Sequence, residues 1–133
     1  MAELVQWNMR GLQANREEIN LLISSLNPSV IALQETNIGK HHNINFSNHF
    51  IYNCFGSETN GVFHGASDVM VNKAVPHKLL SLQTNLQAVA VRTTLSKTII
   101  VCSVYVPPSQ KWDIKDRGLI CSTPLSSSTT WGF

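Results

Sequence analysis

The chain has 133 residues and a mass of 14.8 kDa, which suits one domain and excludes a large multidomain enzyme. Apolar residues make up 43% and charged residues 14%, against roughly 25% charged in average soluble domains, so wholesale disorder is excluded. The net charge of +2 is too weak to argue nucleic-acid binding on its own.

Residues 3–8 (Glu-Leu-Val-Gln-Trp-Asn) form a short apolar run that Gly11 breaks. A helix follows. Asn15 is a good N-cap, Glu18 stands three residues on as in a capping box, and Glu17 and Glu18 suit the positive helix end. Ile19, Leu22, Ile23 and Leu26 repeat at i, i+3, i+4 and i+7, one apolar stripe, and Asn27-Pro28 stops the helix. Ser29–Leu33 is a continuous apolar strand running into Gln34-Glu35-Thr36. Strand, helix and strand within about 35 residues make a βαβ unit with parallel, neighbouring strands.

Residues 37–48 read as a polar loop. Beyond it, Phe50–Phe55, Asp68–Val71, Ala88–Arg92 and Thr98–Val106 are short β-rich runs between Gly, Asn, Pro and Ser punctuation. Helix signals are absent there, so antiparallel hairpins are expected within an α/β architecture. Residues 117–133 are Ser/Thr-rich and aperiodic after Ile120, and read as tail.

The three cysteines, Cys54, Cys102 and Cys121, show no zinc spacing, and Cys102 sits in an apolar run as a buried thiol. No stretch approaches the ~20 apolar residues of a membrane span, and no secretory signal opens the chain. The expected compartment is a reducing one, nucleus or cytoplasm, without secretion.

Asn8 and Glu35 carry the most chemical information. Each closes one of two strands expected to be parallel neighbours, at the carboxyl edge where open α/β sheets bind ligands. An amide and a carboxylate there can hold a hard metal ion or a phosphate. Equally, Glu35 can be a solvated strand-end residue and Asn8 a turn former.

The segments Leu4-Val5-Gln6-Trp7-Asn8-Met9-Arg10-Gly11 and Pro28-Ser29-Val30-Ile31-Ala32-Leu33-Gln34-Glu35-Thr36, followed by Leu86–Val91 and Ile100–Pro108, resemble in order the motifs of the endonuclease/exonuclease/phosphatase superfamily. The flavour is that of non-LTR (LINE, jockey-like) retrotransposon endonuclease domains. The resemblance covers residues 2 to about 116. It implies the first half of a four-layer α/β sandwich over residues 1–116, followed by a non-native-looking tail over 117–133. It also implies Mg²⁺-dependent hydrolysis of DNA phosphodiesters, and a reverse transcriptase domain in the same polyprotein. By the same resemblance Glu35 binds the metal, Asn8 supports the metal and the scissile phosphate, and Tyr105 hydrogen-bonds the phosphate. Without the resemblance, Tyr105 reads as a tyrosine filling the core edge.

Departures from the family pattern are informative. Where the family shows a Gly-Gly-Val-Ala-like strand start, this chain has Gly65-Ala66-Ser67-Asp68-Val69, and Asp68 reads as a surface strand residue or a decayed position. Arg10 reads as a solvated loop arginine or a phosphate contact. The family's Gly-Asp-Phe-Asn and Ser-Asp-His do not stand in the 133 residues, and all five histidines (His41, His42, His49, His64, His77) precede Tyr105, so they read as ordinary loop or surface residues. Little or no nuclease activity is therefore expected of the chain as encoded. The alternatives are a non-catalytic DNA-binding fragment or another phosphoesterase of the superfamily.

The tail offers a reason. One choice of codons for Ser122–Phe133, read one base later, gives Gln-Leu-Pro-Ser-Pro-Pro-Pro-Leu-Leu-Gly-Asp-Phe, which resembles the family's approach to its aspartate motif. A frameshift near residues 116–121 is the expectation. Loss of the second half would leave the first sheet's inner face uncovered, at a cost on the order of 10 kcal/mol, and so predicts marginal stability.

Overall fold

A computed structural model describes residues 3–106 and the backbone of residues 128–132. The rest of the Ser/Thr-rich segment, like residues 107–116, lies outside the described residues. The elements are β1 (Leu4–Asn8), α1 (Arg16–Leu26), β2 (Val30–Gln34), β3 (His49–Cys54), β4 (Ser57–Thr59), β5 (Val62–His64), β6 (Ser67–Asn72), β7 (His77–Leu80), β8 (Gln87–Thr94), β9 (Thr98–Tyr105) and β10 (Ser128–Gly132).

The βαβ expectation holds. β1 and β2 pair in parallel from Leu4 against Val30 to Asn8 against Gln34. β6 then pairs antiparallel with both β2 and β3, giving a first sheet of order β1-β2-β6-β3. The second sheet has the order β10-β9-β8-β7, with β7, β8 and β9 antiparallel and β10 parallel to β9. β4 and β5 form a separate hairpin around Asn60-Gly61, whose positive φ angles of 52° and 79° suit a tight two-residue turn.

Strand alternation divides the core into layers. Val30, Ala32, Val69 and Val71 of the first sheet meet Val89, Val91 and Val101 of the second. On the opposite face of the first sheet, Ile31, Leu33 and Met70 pack against Ile19 of α1 and against Met9, Leu12, Ile38, Ile44 and Phe46. The result is an α/β sandwich of helix and loop, sheet, and sheet. Val30, Val69 and Val71 are fully buried, so the uncovered inner face expected from sequence does not exist. β8 and β9 supply the apolar lid that the expectation assigned to missing residues.

Two local readings also change. Asn15 occupies the N-cap position, but its side chain does not cap the helix. Its amide donates backwards to the carbonyls of Met9 (2.8 Å) and Gly11 (2.9 Å), pinning the β1–α1 turn instead. The helix does stop at Asn27, which adopts a left-handed conformation with its N–H on the Ile23 carbonyl. His49 is not a surface histidine. It is buried, with one ring nitrogen 3.0 Å from the Ser47 carbonyl and the other 3.0 Å from the Pro28 carbonyl.

Candidate metal and phosphate site

The space between the sheets is apolar at one end and polar at the other. At the polar end Gln34, fully buried, accepts a hydrogen bond from the Gln6 amide and donates to Ser103 Oγ at 2.8 Å. Ser103 Oγ in turn donates to the Leu33 carbonyl at 2.6 Å. This chain crosses from the first sheet to the second and back, satisfying polar groups that would be costly if buried alone. Its position marks the carboxyl edge of β1, β2 and β9.

Asn8, exposed, ends β1 beside Gln34. Glu35, half-buried, follows Gln34 immediately in a left-handed conformation (φ 57°). That turn is held on both sides. The Glu35 N–H donates to the Ala66 carbonyl (2.9 Å), and the Glu35 carbonyl accepts from Gly11 N–H (2.8 Å). The Met9 N–H on the Gln34 carbonyl (3.1 Å) and the Leu12 N–H on the Thr36 carbonyl (2.9 Å) extend the same zipper. Asn8 and Glu35 are thus adjacent strand ends, and the β1–α1 turn grips the residue that carries the carboxylate.

Tyr105 ends β9 on the second sheet, register partner of Gln87. A side chain added at Gly65 (φ 84°) would meet the Tyr105 ring at 2.8 Å, so the glycine is the platform on which the ring lies. Partial burial, and next the charge of Glu35, push the Tyr105 hydroxyl above its ordinary pKa. The charge of Glu35 therefore reaches the Tyr105 phenol across the gap between the sheets. Arg10 is exposed at φ 52°, on the turn beside Asn8.

Glu35 and Asn8 offer two hard oxygen donors at one edge, a set that suits Mg²⁺, which keeps most of its waters. Among the described residues no group of three or more His, Cys, Asp or Glu side chains could hold a metal. The fit is to a sparsely coordinated, water-rich ion and not to a closed cage. His41 and His42 lie instead against Phe63, with ring centroids 5.9 Å apart.

Asp68 was legible only as an oddity. It is not on the surface. Its side chain is buried on the helix-side face of β6, with Oδ1 accepting from the Asn53 amide at 2.5 Å. Asp68 Oδ2 and Thr36 Oγ1 are both buried and neither has a hydrogen-bond partner at bonding distance, although the hydroxyl favours the carboxylate's charged form. Burial dominates and pushes the Asp68 pKa up to about 6. Cys102, buried as expected, has its thiol pushed up to about 12 by desolvation.

No family model matches the chain. Over 114 residues it is 27% identical to the RNA-directed DNA polymerase from mobile element jockey of Drosophila melanogaster, a match covering 83% of this chain and 12% of that one. Among solved structures, the endonuclease domain of TRAS1, a telomere-specific non-LTR retrotransposon, aligns with a TM-score of 0.60 at 18% identity, covering 80% of this chain and 47% of that one. An endonuclease/exonuclease/phosphatase family protein from Leptotrichia buccalis aligns at 0.65 and 15% identity, covering 98% and 66%. The AP endonuclease LMAP from Leishmania major aligns at 0.61 and 12%, covering 91% and 45%. The chain thus spans about an eighth of its curated relative and about half of the TRAS1 domain. No helix among the described residues is long and apolar enough to cross a membrane. The chain has the endonuclease/exonuclease/phosphatase fold, and its sequence tie to the jockey polymerase supports an origin among non-LTR retrotransposons.

Proposed function

We propose that the chain carries the N-terminal half of a DNA-cleaving site, in which Glu35 binds Mg²⁺ with help from Asn8, and Tyr105 donates a hydrogen bond to the scissile phosphate. The observation that supports this reading is that an amide, a carboxylate and a phenol stand at the carboxyl ends of β1, β2 and β9 in the two facing sheets, with Glu35 gripped through its backbone on both sides. Bound there, a divalent ion would neutralise charge developing on the phosphate. The chain's own part is to orient: Asn8 and Tyr105 present neutral donors to phosphate oxygens, and the polar tie through Gln34 and Ser103 fixes the two sheets around them. DNA is the substrate class, a reverse transcriptase domain of the same polyprotein the partner, and nucleus or cytoplasm the setting.

The family's second-half histidine and carboxylate motifs do not stand in the 133 residues, so these residues on their own are expected to leave DNA uncut. We read residues 1–116 as endonuclease sequence and 117–133 as out of frame. What supports the frame reading is the resemblance of the shifted tail, in which one choice of codons for Ser122–Phe133 ends in Gly-Asp-Phe. Two experiments test the function. Mn²⁺-induced broadening of amide resonances in the full chain should centre on residues 8–11 and 35–37 and vanish in Glu35→Gln. Supercoiled plasmid should remain uncut. Nicking that survives Glu35→Gln, or Mn²⁺ effects centred elsewhere, would overturn the reading.

A further inference from the structure

Glu35 is held by Ala66, and the structure shows what holds Ala66. The Ala66 N–H donates to Gln87 Oε1 at 2.5 Å, and the Ala66 carbonyl accepts the Glu35 N–H at 2.9 Å. Gln87 belongs to the second sheet, where it is the register partner of Tyr105. Its own carbonyl accepts from Ser67 Oγ at 2.6 Å, and its amide donates to Ser57 Oγ at 3.3 Å. One side chain therefore stands beside the phenol and reaches, through the backbone of a single residue, Ala66, the backbone of the carboxylate.

Ala66 makes this reach matter. It is fully buried at φ 75°, a left-handed conformation that a residue with a Cβ adopts only under constraint. Glu35, across the pair, is left-handed too. Two such residues facing each other relax unless their N–H groups find acceptors, and the acceptor for Ala66 is a side chain and not the strand ladder. Without Gln87 the Ala66 N–H would be orphaned in the interior. Residue 66 would then turn about its own φ and ψ, and its carbonyl would leave the Glu35 N–H.

We propose that Gln87 is a positioning residue, which sets the Glu35 turn from the second sheet and so fixes the carboxylate relative to Tyr105. The inference rests on the functional reading above for its purpose, but not for its geometry. The test uses the full chain and two substitutions of similar length. Gln87→Met removes the acceptor, whereas Gln87→Glu keeps an oxygen where Oε1 stands. Amide hydrogen exchange, resolved by NMR, should show the Glu35 N–H exchanging roughly tenfold faster in Gln87→Met, the size expected for loss of one such bond. The Ile31 and Leu33 amides in β2 should keep their rates, and Gln87→Glu should restore Glu35 to its original rate. The Mn²⁺ dissociation constant should rise in Gln87→Met as well. Unchanged exchange at Glu35 in Gln87→Met would overturn the proposal. So would equal acceleration at Ile31 and Leu33, or no rescue by Gln87→Glu. If the unsubstituted chain binds no Mn²⁺, the metal reading of Glu35 falls, and the amide comparison still decides the role of Gln87.

Discussion

Asp68 gives the sharpest prediction, because it is a carboxyl group in a layer built for apolar side chains. Its neighbours on that face of the first sheet are Leu33 and Met70, and its second oxygen has no partner. The pKa is pushed from 3.8 up to about 6, by burial first, with the Thr36 hydroxyl and the Asn53 amide opposing it. Because the folded value lies above the unfolded one, the sign is fixed. Below about pH 4 both states hold the proton and the site costs almost nothing. Between pH 4 and 6 the unfolded chain releases its proton first, so stability falls as pH rises. Above pH 6 the full cost is present, about 3 kcal/mol for a shift of about two pKa units. Asp68→Asn keeps an acceptor for Asn53 and removes the titration. It should raise the melting temperature at pH 8 by about 10 °C and leave it nearly unchanged at pH 4. Circular dichroism melts of both proteins across pH 4–8 provide the difference curve, in which every other titrating group cancels. Parallel curves, or a variant less stable at pH 8, would show that the carboxylate is compensated and that the reasoning is wrong.

Other outcomes follow from single contacts. Ala66→Gly should stabilise the chain by about 1 kcal/mol, since glycine accepts the left-handed φ without strain, and urea denaturation will show a raised midpoint. Glu35→Gln should lower the Tyr105 pKa toward the ordinary phenol range by removing a neighbouring charge; ultraviolet titration of the two tyrosines, repeated in a Tyr52→Phe background, isolates that shift. Gln34→Leu should cost about 2 kcal/mol, because Ser103 loses its donor inside the sandwich, and the loss will appear in the same denaturation assay.

Much of the fold was legible because β1, α1 and β2 obey local rules: an apolar run, a 3.6-residue stripe, an Asn-Pro stop. Asn8 and Glu35 could be put at one edge because parallel pairing forces their strand ends together. The four long β runs were legible from composition, whereas β4, β5, β7 and β10, the last inside the segment read as tail, were not. β4 is Ser-Glu-Thr and fully exposed, and β7 shows no alternation of polar and apolar residues, so neither carries a burial signal. The burial of Asp68 and His49 was illegible for another reason. His49 bonds the Ser47 carbonyl of the loop over residues 37–48, which reads as polar yet inserts Ile38, Ile44 and Phe46 into one core cluster with Met70, two residues from Asp68. Gln87 went unnoticed because a half-buried glutamine in a strand carries no pattern; only the neighbouring left-handed Ala66 reveals what it does.

The left-handed turn at Glu35 has an evolutionary consequence. Its hydrogen bonds to Gly11 and Ala66 are made entirely by the backbone, so the fold does not depend on which side chain stands at that position. Glycine or asparagine would suit φ 57° better than glutamate does. Under the proposed function, selection for a sturdier protein and selection for a metal-binding carboxylate pull this position in opposite directions. In lineages released from that function, the carboxylate should be among the first groups to drift, while the sandwich around it persists.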